Sequence, residues 1–348
     1  MFGGRRLPGI RCGMRSSATR ALTDYLNAQI DEIENGDEDL RHGGGEDPVH
    51  DTRVAIRRLR STLRVFAKLL DQPNIGDADD ELKWFAALLG DVRDCEVQER
   101  RFAKALDGMP DELILGPVRS RIRNDLQAIE QPARTRLSEA MDSDRYRALL
   151  TVLRGWRYEP PVAQQISAAA LRKRARRAER KADRRLAAAL GSDDNEMLHR
   201  ARKAAKRARY AAELRRPLDK RAKRTVKHYK RIQSLLGDHQ DTVVATQTLR
   251  QMALAAGTTV GENGFSYGML YAREQQLARQ CREDVTRTGG QRGIHQGAPR
   301  LQLSPGPAGQ SRGGPPPPGA PGGGGPPGGG GVGGWGGGGV GGGGRGGG

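Results

Sequence analysis

Five side chains that can hold an anion recur at three- and four-residue steps early in the chain: His50, Arg53, Arg57, Arg60 and Arg64. His199, Arg202, Lys206 and Arg209 repeat the pattern some 150 residues later. Neither set pairs a nucleophile with a base, and neither has metal-ligand spacing, so the chemistry they suggest is the binding of a polyanion. Arginine suits phosphate because its planar fork donates two parallel hydrogen bonds and keeps its charge at any working pH. Lysines such as Lys83, Lys206 and Lys230 add point charges with less geometric demand. His50 and His199 fall early in their segments, where helical backbone N–H groups favour an anion. Neighbouring arginines are expected to hold each imidazole neutral in the empty site, and bound phosphate to favour its protonation.

The element that must position the first set is a helix. Asp47 can cap it, Pro48 fits its first position, and Ile56, Leu59, Leu63, Phe66 and Leu70 recur at 3-4 spacing. At 100° per residue the cationic row occupies roughly an 80° sector and runs about 21 Å, while the apolar set lies on another face. One face therefore packs while another presents charge. Arg58 and Arg207 point about 100° away from their rows and are assigned to a neighbouring wall. In the second set the packing face is Ala201, Ala205, Ala208 and Ala212, small enough to let a neighbouring helix approach closely.

The two rows belong to an internal repeat. His50, Arg53, Arg57, Arg58 and Arg60 align with His199, Arg202, Lys206, Arg207 and Arg209 at an offset of 149 residues. Downstream, Lys83 to Asp94 aligns with Lys230 to Asp241 at an offset of 147, bringing Leu89-Gly90-Asp91 onto Leu236-Gly237-Asp238. Two related helical halves follow, meeting at Arg157-Tyr158-Glu159-Pro160-Pro161, where two prolines stop any helix.

These residues resemble the conserved histidine α-helical domain family, CHAD, through Val49-His50-Asp51-Thr52-Arg53 to Arg60 and Leu89-Gly90-Asp91-Val92-Arg93-Asp94, with matching elements in the second half. The resemblance covers about residues 16–285. It implies an all-α fold of two antiparallel helical bundles related by duplication and a pseudo-two-fold axis, with basic helices lining a central groove or pore. It also implies binding of inorganic polyphosphate and, in some members, association with polyphosphate granules. The groove is assigned to the two rows, with Lys83, Lys230 and the helix carrying Arg172 and Arg176 as further candidates. The final helix is expected to stop near Asp284, which leaves the last wall of the second bundle short.

Composition fits this reading. Residues 287–348 hold 30 of the 49 glycines, 10 of the 19 prolines and no acid, and are expected to be a disordered tail. The chain therefore divides into a flexible N-terminus (1–15), a first half (16–157), a second half (158–286) and the tail. Of the net charge of +18, residues 171–231 alone carry +17, from 24 Lys and Arg against 7 Asp and Glu. Charge so concentrated implies a polyanionic partner. Further helices are read at about 82–89, 94–107, 111–130, 143–155, 163–190, 195–215, 219–236, 241–256 and 264–285, with Gly90 ending one and Gly237 near a joint. No apolar run approaches a membrane span, and Met1 to Arg20 lacks the apolar stretch of a secretory signal. Cys12, Cys95 and Cys281 suit a reducing cytoplasm rather than a disulfide framework.

Other candidate chemistry is weaker. Asp91/Asp94 and Asp238/Asp241 are read as structural, capping the next helix or orienting groove arginines, so no metal or other cofactor is assigned. His239 has Val92 as its counterpart, so the repeat does not require it in a metal site. Arg41-His42-Gly43 matches a histidine-phosphatase tripeptide, but such enzymes carry it after a strand, and here it falls in a glycine-rich loop read from Gly36 to Asp47. A non-catalytic polyphosphate-binding protein is therefore the expectation. Its rivals are a nucleic-acid-binding protein using 171–231, opposed by the scarcity of stacking aromatics, and an enzyme acting on polyphosphate.

Overall fold

The computed structural model describes residues 16–293 apart from Gln164 and Asp193. The N-terminal segment 1–15 and the tail from 294 onward lie outside the described residues. The fold is all-α. Ser16 caps α1 (Ser17–His42) by accepting from the Thr19 N–H, and Gly43 ends it in the left-handed conformation with its own N–H on the Asp39 carbonyl. The carboxylate of Asp47 accepts from the His50 N–H and Pro48 opens α2 (Pro48–Val65), as the sequence indicates. A four-residue α3 (Gln72–Ile75) follows, then α4 (Ala78–Asp107), α5 (Val118–Asp142) and α6 (Asp144–Tyr158). The second half is α7 (Ala168–Leu190), α8 (Asn195–Leu214), α9 (Ala222–Ala256) and α10 (Phe265–Gly293). A lone antiparallel bridge, Leu70 to Val162, is the extended pairing found among the described residues.

Two glycines expected at helix ends lie inside helices. Gly90 is in the middle of α4 and Gly237 in the middle of α9, each helix running without a break. A Cβ on Gly90 would come within 3.1 Å of the Arg53 guanidinium, and one on Gly237 within 3.5 Å of that of Arg202. These glycines let an arginine of the neighbouring helix lie across the backbone, a tertiary need that outweighs roughly 1 kcal/mol of helix propensity each. The same finding removes Asp91/Asp94 and Asp238/Asp241 from any cap, because all four are mid-helix. The segment read as a loop from Gly36 is also helical as far as His42, and α10 continues past Asp284 to Gly293, taking in residues assigned to the tail.

The helices that the sequence alignment pairs have similar neighbours: α1 packs on α2, α2 on α4 and α4 on α5, while α7 packs on α8, α8 on α9 and α9 on α10. Ile56, Leu59, Leu63, Phe66 and Leu70 all enter the first core, with Leu82, Phe85 and Leu89 of α4 opposite. The second core is built from the alanines of α8 with Tyr229, Ile232 and Leu236. A third cluster joins the halves, setting Phe102 and Leu106 of α4 and Ile122 and Leu126 of α5 against Leu249, Tyr267 and Leu270. The long α4 and α9 thus carry each half into a shared core, and the Arg101–Glu274 ion pair ties α4 to α10 beside it. The proline joint is stitched in as well: the Asp71 N–H donates to the Pro161 carbonyl at 3.1 Å, and the Ile166 N–H to the Thr19 hydroxyl at 3.0 Å. No helix among the described residues is long and apolar enough to cross a membrane.

The α1–α2 contact depends on Gly36, where a Cβ would sit 1.9 Å from Thr52 Oγ1 and 3.0 Å from its Cβ. Gly36→Ala should lower the melting temperature, because overpacking costs about 1–3 kcal/mol and exceeds the gain of roughly 1 kcal/mol in helix propensity. Adding Thr52→Ala removes the closer clash, so a thermal melt of the double variant should recover most of the loss.

Candidate anion-binding site

The centre of the molecule is the contact of α2 with α8, the two helices that carry the cationic rows. Buried Ala201, Ala204, Ala205 and Ala208 let α2 come close, and Ala55, Ile56 and Leu59 are buried on α2. The consequence is that cations from both helices are brought together. Lys206 stands among Arg202, Arg57 and Arg53, with Asp241 the opposing charge. Burial and those three guanidinium groups push its amine down to about 6. Burial lowers Arg57 too, although an arginine keeps its charge. The Nε–H groups of Arg57 and Arg202 are buried and donate to no acceptor in the structure. Unpartnered buried donors on adjacent cations are costly in an empty protein and are ready for an anion.

Around this cluster the halves place matching residues differently. Arg53 crosses Gly90 and pairs with Asp94 at 3.1 Å. Arg93 holds α4 to the start of α2 through Asp47 at 2.8 Å and meets Glu96 at 3.0 Å. Its counterpart Gln240 instead contacts Nδ1 of His199 at 3.0 Å. His50 and His199 are both half-buried, and burial first, then Arg93 for His50 and Lys203 for His199, lowers their pKa. The sequence assigns this lowering to neighbouring arginines, whereas burial is the larger cause at both positions. Asp238 and Asp241 move the other way, raised by burial.

The flanks separate residues that the sequence places together. Glu213 accepts from Arg209 at 2.7 Å, faces Arg58 at 3.5 Å and receives the Tyr25 hydroxyl at 3.4 Å. Arg58 and Arg209 also lie over the Tyr210 ring at 5.9 and 5.6 Å. One carboxylate thus serves both arginines, and the buried Nε–H of Arg58, like those of Arg57 and Arg202, finds no hydrogen-bond acceptor. Arg60 and Arg64 share Asp79, at 3.0 and 2.7 Å. Arg207 is half-buried beside Arg64, Arg185 and Arg60. It opens on a cavity of about 460 Å³ lined also by Arg64, Lys68, Arg174, Arg177 and Lys181. Lys83, Lys230, Arg172 and Arg176 are exposed, and none lines that cavity. On α7 the sequence assigns Arg172 and Arg176 to the groove, whereas the cavity is lined by Arg174, which is half-buried, and by Arg177 and Lys181, which are exposed. Their 3-4 spacing was a readable signal. Arg41-His42-Gly43 is the end of α1, with Arg41 bound to Asp37 and Asp142. Among the described residues no group of three or more His, Cys, Asp or Glu could hold a metal ion.

An all-α fold whose paired helices bury cations against one another defines a class of helical modules built around positive charge. The chain belongs to the CHAD family, whose domain model matches residues 24–250. It is 36% identical over 249 residues to two Mycobacterium tuberculosis proteins, MT2285 and Rv2226. That match takes in 69% of this chain and 47% of each relative, so the chain spans about half their length. The CHAD domain from the plant Ricinus communis aligns with a TM-score of 0.61 at 26% identity, over 78% of this chain and 92% of that one. PptA from Streptomyces chartreusis aligns at 0.66 and 23% identity, over 78% and 99%, a likeness of fold.

The depressed amine has a consequence for the empty protein. Unfolded, Lys206 titrates near the ordinary lysine value; folded, it titrates near 6. Between those values the unfolded chain binds more protons here, so this residue's penalty shrinks as pH rises and is full below about 6. Lys206→Met should melt several degrees above the parent at pH 7 without ligand. The gap between the two should narrow toward pH 10 in a pH series of thermal melts.

Proposed function

We propose that this chain binds inorganic polyphosphate along the rows of α2 and α8 without a catalytic step of its own. The observation that carries the reading is the cluster of Arg53, Arg57, Arg202 and Lys206, with buried N–H donors that lack acceptors. A linear chain of phosphates supplies closely spaced oxygens for both rows and relieves the repulsion that depresses Lys206. Membership of the CHAD family supports the same partner through the expectation that the resemblance carries. The reading sets the protein in the cytoplasm, at polyphosphate granules where a cell forms them, and the free thiols of Cys95 and Cys281 suit that compartment.

Nucleic acid is the rival polyanion, and exposed cations on α7 would give it salt-sensitive affinity. The full chain should be titrated with long-chain polyphosphate and with double- and single-stranded DNA, at equal phosphate and rising salt. Polyphosphate binding is expected to survive salt that strips both DNAs, and Arg53→Ala/Arg57→Ala/Lys206→Ala should weaken it by about a hundredfold or more, since each charge-assisted contact contributes roughly 1.5–3 kcal/mol. Equal affinity for DNA with no effect of the triple variant would make the rows scaffold. Polymer length followed with added magnesium should stay constant. Shortening that Asp238→Asn abolishes would replace binding by catalysis.

Binding should also take up protons. An anion raises the pKa of Lys206, His50 and His199 from their depressed free-state values. Affinity should therefore rise as pH falls from 8 to 6 and level off below. Calorimetry in two buffers of different ionisation enthalpy would show the uptake, and a flat affinity profile would remove these groups from the site.

A further inference from the structure

The cavity beside Arg207 lies where the counterpart position of the repeat is built from different residues. At the offset of 149 residues, Arg64 corresponds to Glu213, Arg174 to Tyr25 and Arg207 to Arg58. In the first-half arrangement those counterparts close on one another: the Tyr25 hydroxyl donates to Glu213, and Arg58 faces the same carboxylate. Burial and Glu213 raise the Tyr25 hydroxyl, which therefore stays protonated and donating. Lys181 likewise corresponds to Glu32. One position in the repeat is thus filled by a Tyr–Glu–Arg cluster that holds a carboxylate, while its counterpart is lined by six cations, Arg64, Lys68, Arg174, Arg177, Lys181 and Arg207, with no acid in the lining.

We propose that this cavity between α2, α7 and α8 is a separate binding site for a short oligophosphate group. Six converging cations exceed what one orthophosphate, with about two charges, can compensate. Two or three linked phosphates in about 460 Å³ match both the charge and the space. The remaining lining is Val65, Ala67, Ala178 and Ala204, which offers no aromatic face for a base, so nucleotides gain nothing over the bare phosphates. Arg64 also pairs with Asp79, and that carboxylate fixes the guanidinium in the lining. Mutual repulsion is already present: Arg185 and then burial and Arg207 lower the Lys181 amine, and burial followed by Arg64 and Arg185 lowers Arg207. The occupant has two sources, the terminal segment of a long polyphosphate or a free short one. The site rests on the cavity and does not depend on the long-chain reading.

The test is calorimetric titration of the full chain with tripolyphosphate, pyrophosphate and orthophosphate at fixed salt. Tripolyphosphate should bind with one site per chain and at least about tenfold more tightly than orthophosphate, the ratio expected from roughly 1.4 kcal/mol of added charge pairing. Arg177→Gln/Lys181→Gln changes two exposed residues, so the chain should fold, and it should lose about tenfold or more. Arg64→Glu/Arg174→Tyr, which installs the first-half residues, should abolish binding. Glu32→Gln, on the corresponding face of α1, should leave tripolyphosphate affinity unchanged. Binding that both cavity variants retain, or that disappears only in the Arg53→Ala/Arg57→Ala/Lys206→Ala chain, would overturn the proposal by placing the ion in the central rows. If long-chain polyphosphate fails to bind while tripolyphosphate behaves as described, the preceding reading falls and this one stands. Competition then separates the sources. A severalfold loss of long-chain affinity in saturating tripolyphosphate assigns the cavity to the chain end, and unchanged affinity assigns it to a free oligophosphate.

Discussion

The rest of the molecule is arranged around the burial of like charges where α2 meets α8. Arg202, Arg57 and Arg53 stand half-buried there around Lys206, whose amine burial and their charge push down to about 6. Desolvating a cation costs several kcal/mol, and setting others beside it adds repulsion rather than relief. Something else must hold the two helices together, and the alanine face of α8 does so by letting α2 come close over apolar side chains. The long α4 and α9 then brace the pair by running past it into the shared core of Phe102, Leu249 and Tyr267. Helices that ended at Gly90 and Gly237 would leave the charged crossing at the margin of two small bundles.

Carboxylates mark how far that charge is allowed to extend. Asp79 takes Arg60 and Arg64 and Glu213 faces Arg58 and Arg209 at the flanks, while within the cluster Asp94 takes Arg53. Asp241 is the acid that reaches Lys206, and burial raises its own pKa, which weakens it as a counter-ion. The centre therefore stays positive while the edges carry carboxylates. On the proposed function, such a gradient would draw an anion to the rows.

Much of this was legible in the sequence. The 3-4 spacing from Ile56 to Leu70 gave the packing face, Asp47-Pro48 gave the start of α2, and the repeated His-Arg rows gave the residues of the central cluster. Glycine was misread because its local meaning as a helix stop is judged from propensity, whereas Gly90 and Gly237 answer to arginines on another helix, Arg53 and Arg202. Which arginines remain uncompensated was illegible for a similar reason. Asp79 is fifteen residues from Arg64, and Tyr25 is 188 residues from Glu213, so their partnerships exist only once the chain has folded. On α7 the choice of Arg172 and Arg176 followed charge alone. The buried face of Leu171, Ala175 and Ala182 sets which cations of α7 border the cavity, half-buried Arg174 and exposed Arg177 and Lys181.

A repeat fixes where residues stand and leaves their chemistry free to diverge. Arg53 over Gly90 and Arg202 over Gly237 show one backbone arrangement used twice, with a contact 0.4 Å looser in the second half (3.5 against 3.1 Å). The corresponding positions around Arg58 and Arg207 have taken opposite electrostatic roles, one closed by Glu213 and Tyr25 and the other left open by Arg64 and Arg174. If both had remained cationic, the pair of helices would carry repulsion on two flanks as well as at the centre, with less packing to oppose it. Closing one flank restores an ion pair and a hydrogen bond to the fold, which allows the other flank and the central rows to stay charged. On this argument the asymmetry is what makes so basic a crossing stable enough to fold before any anion arrives.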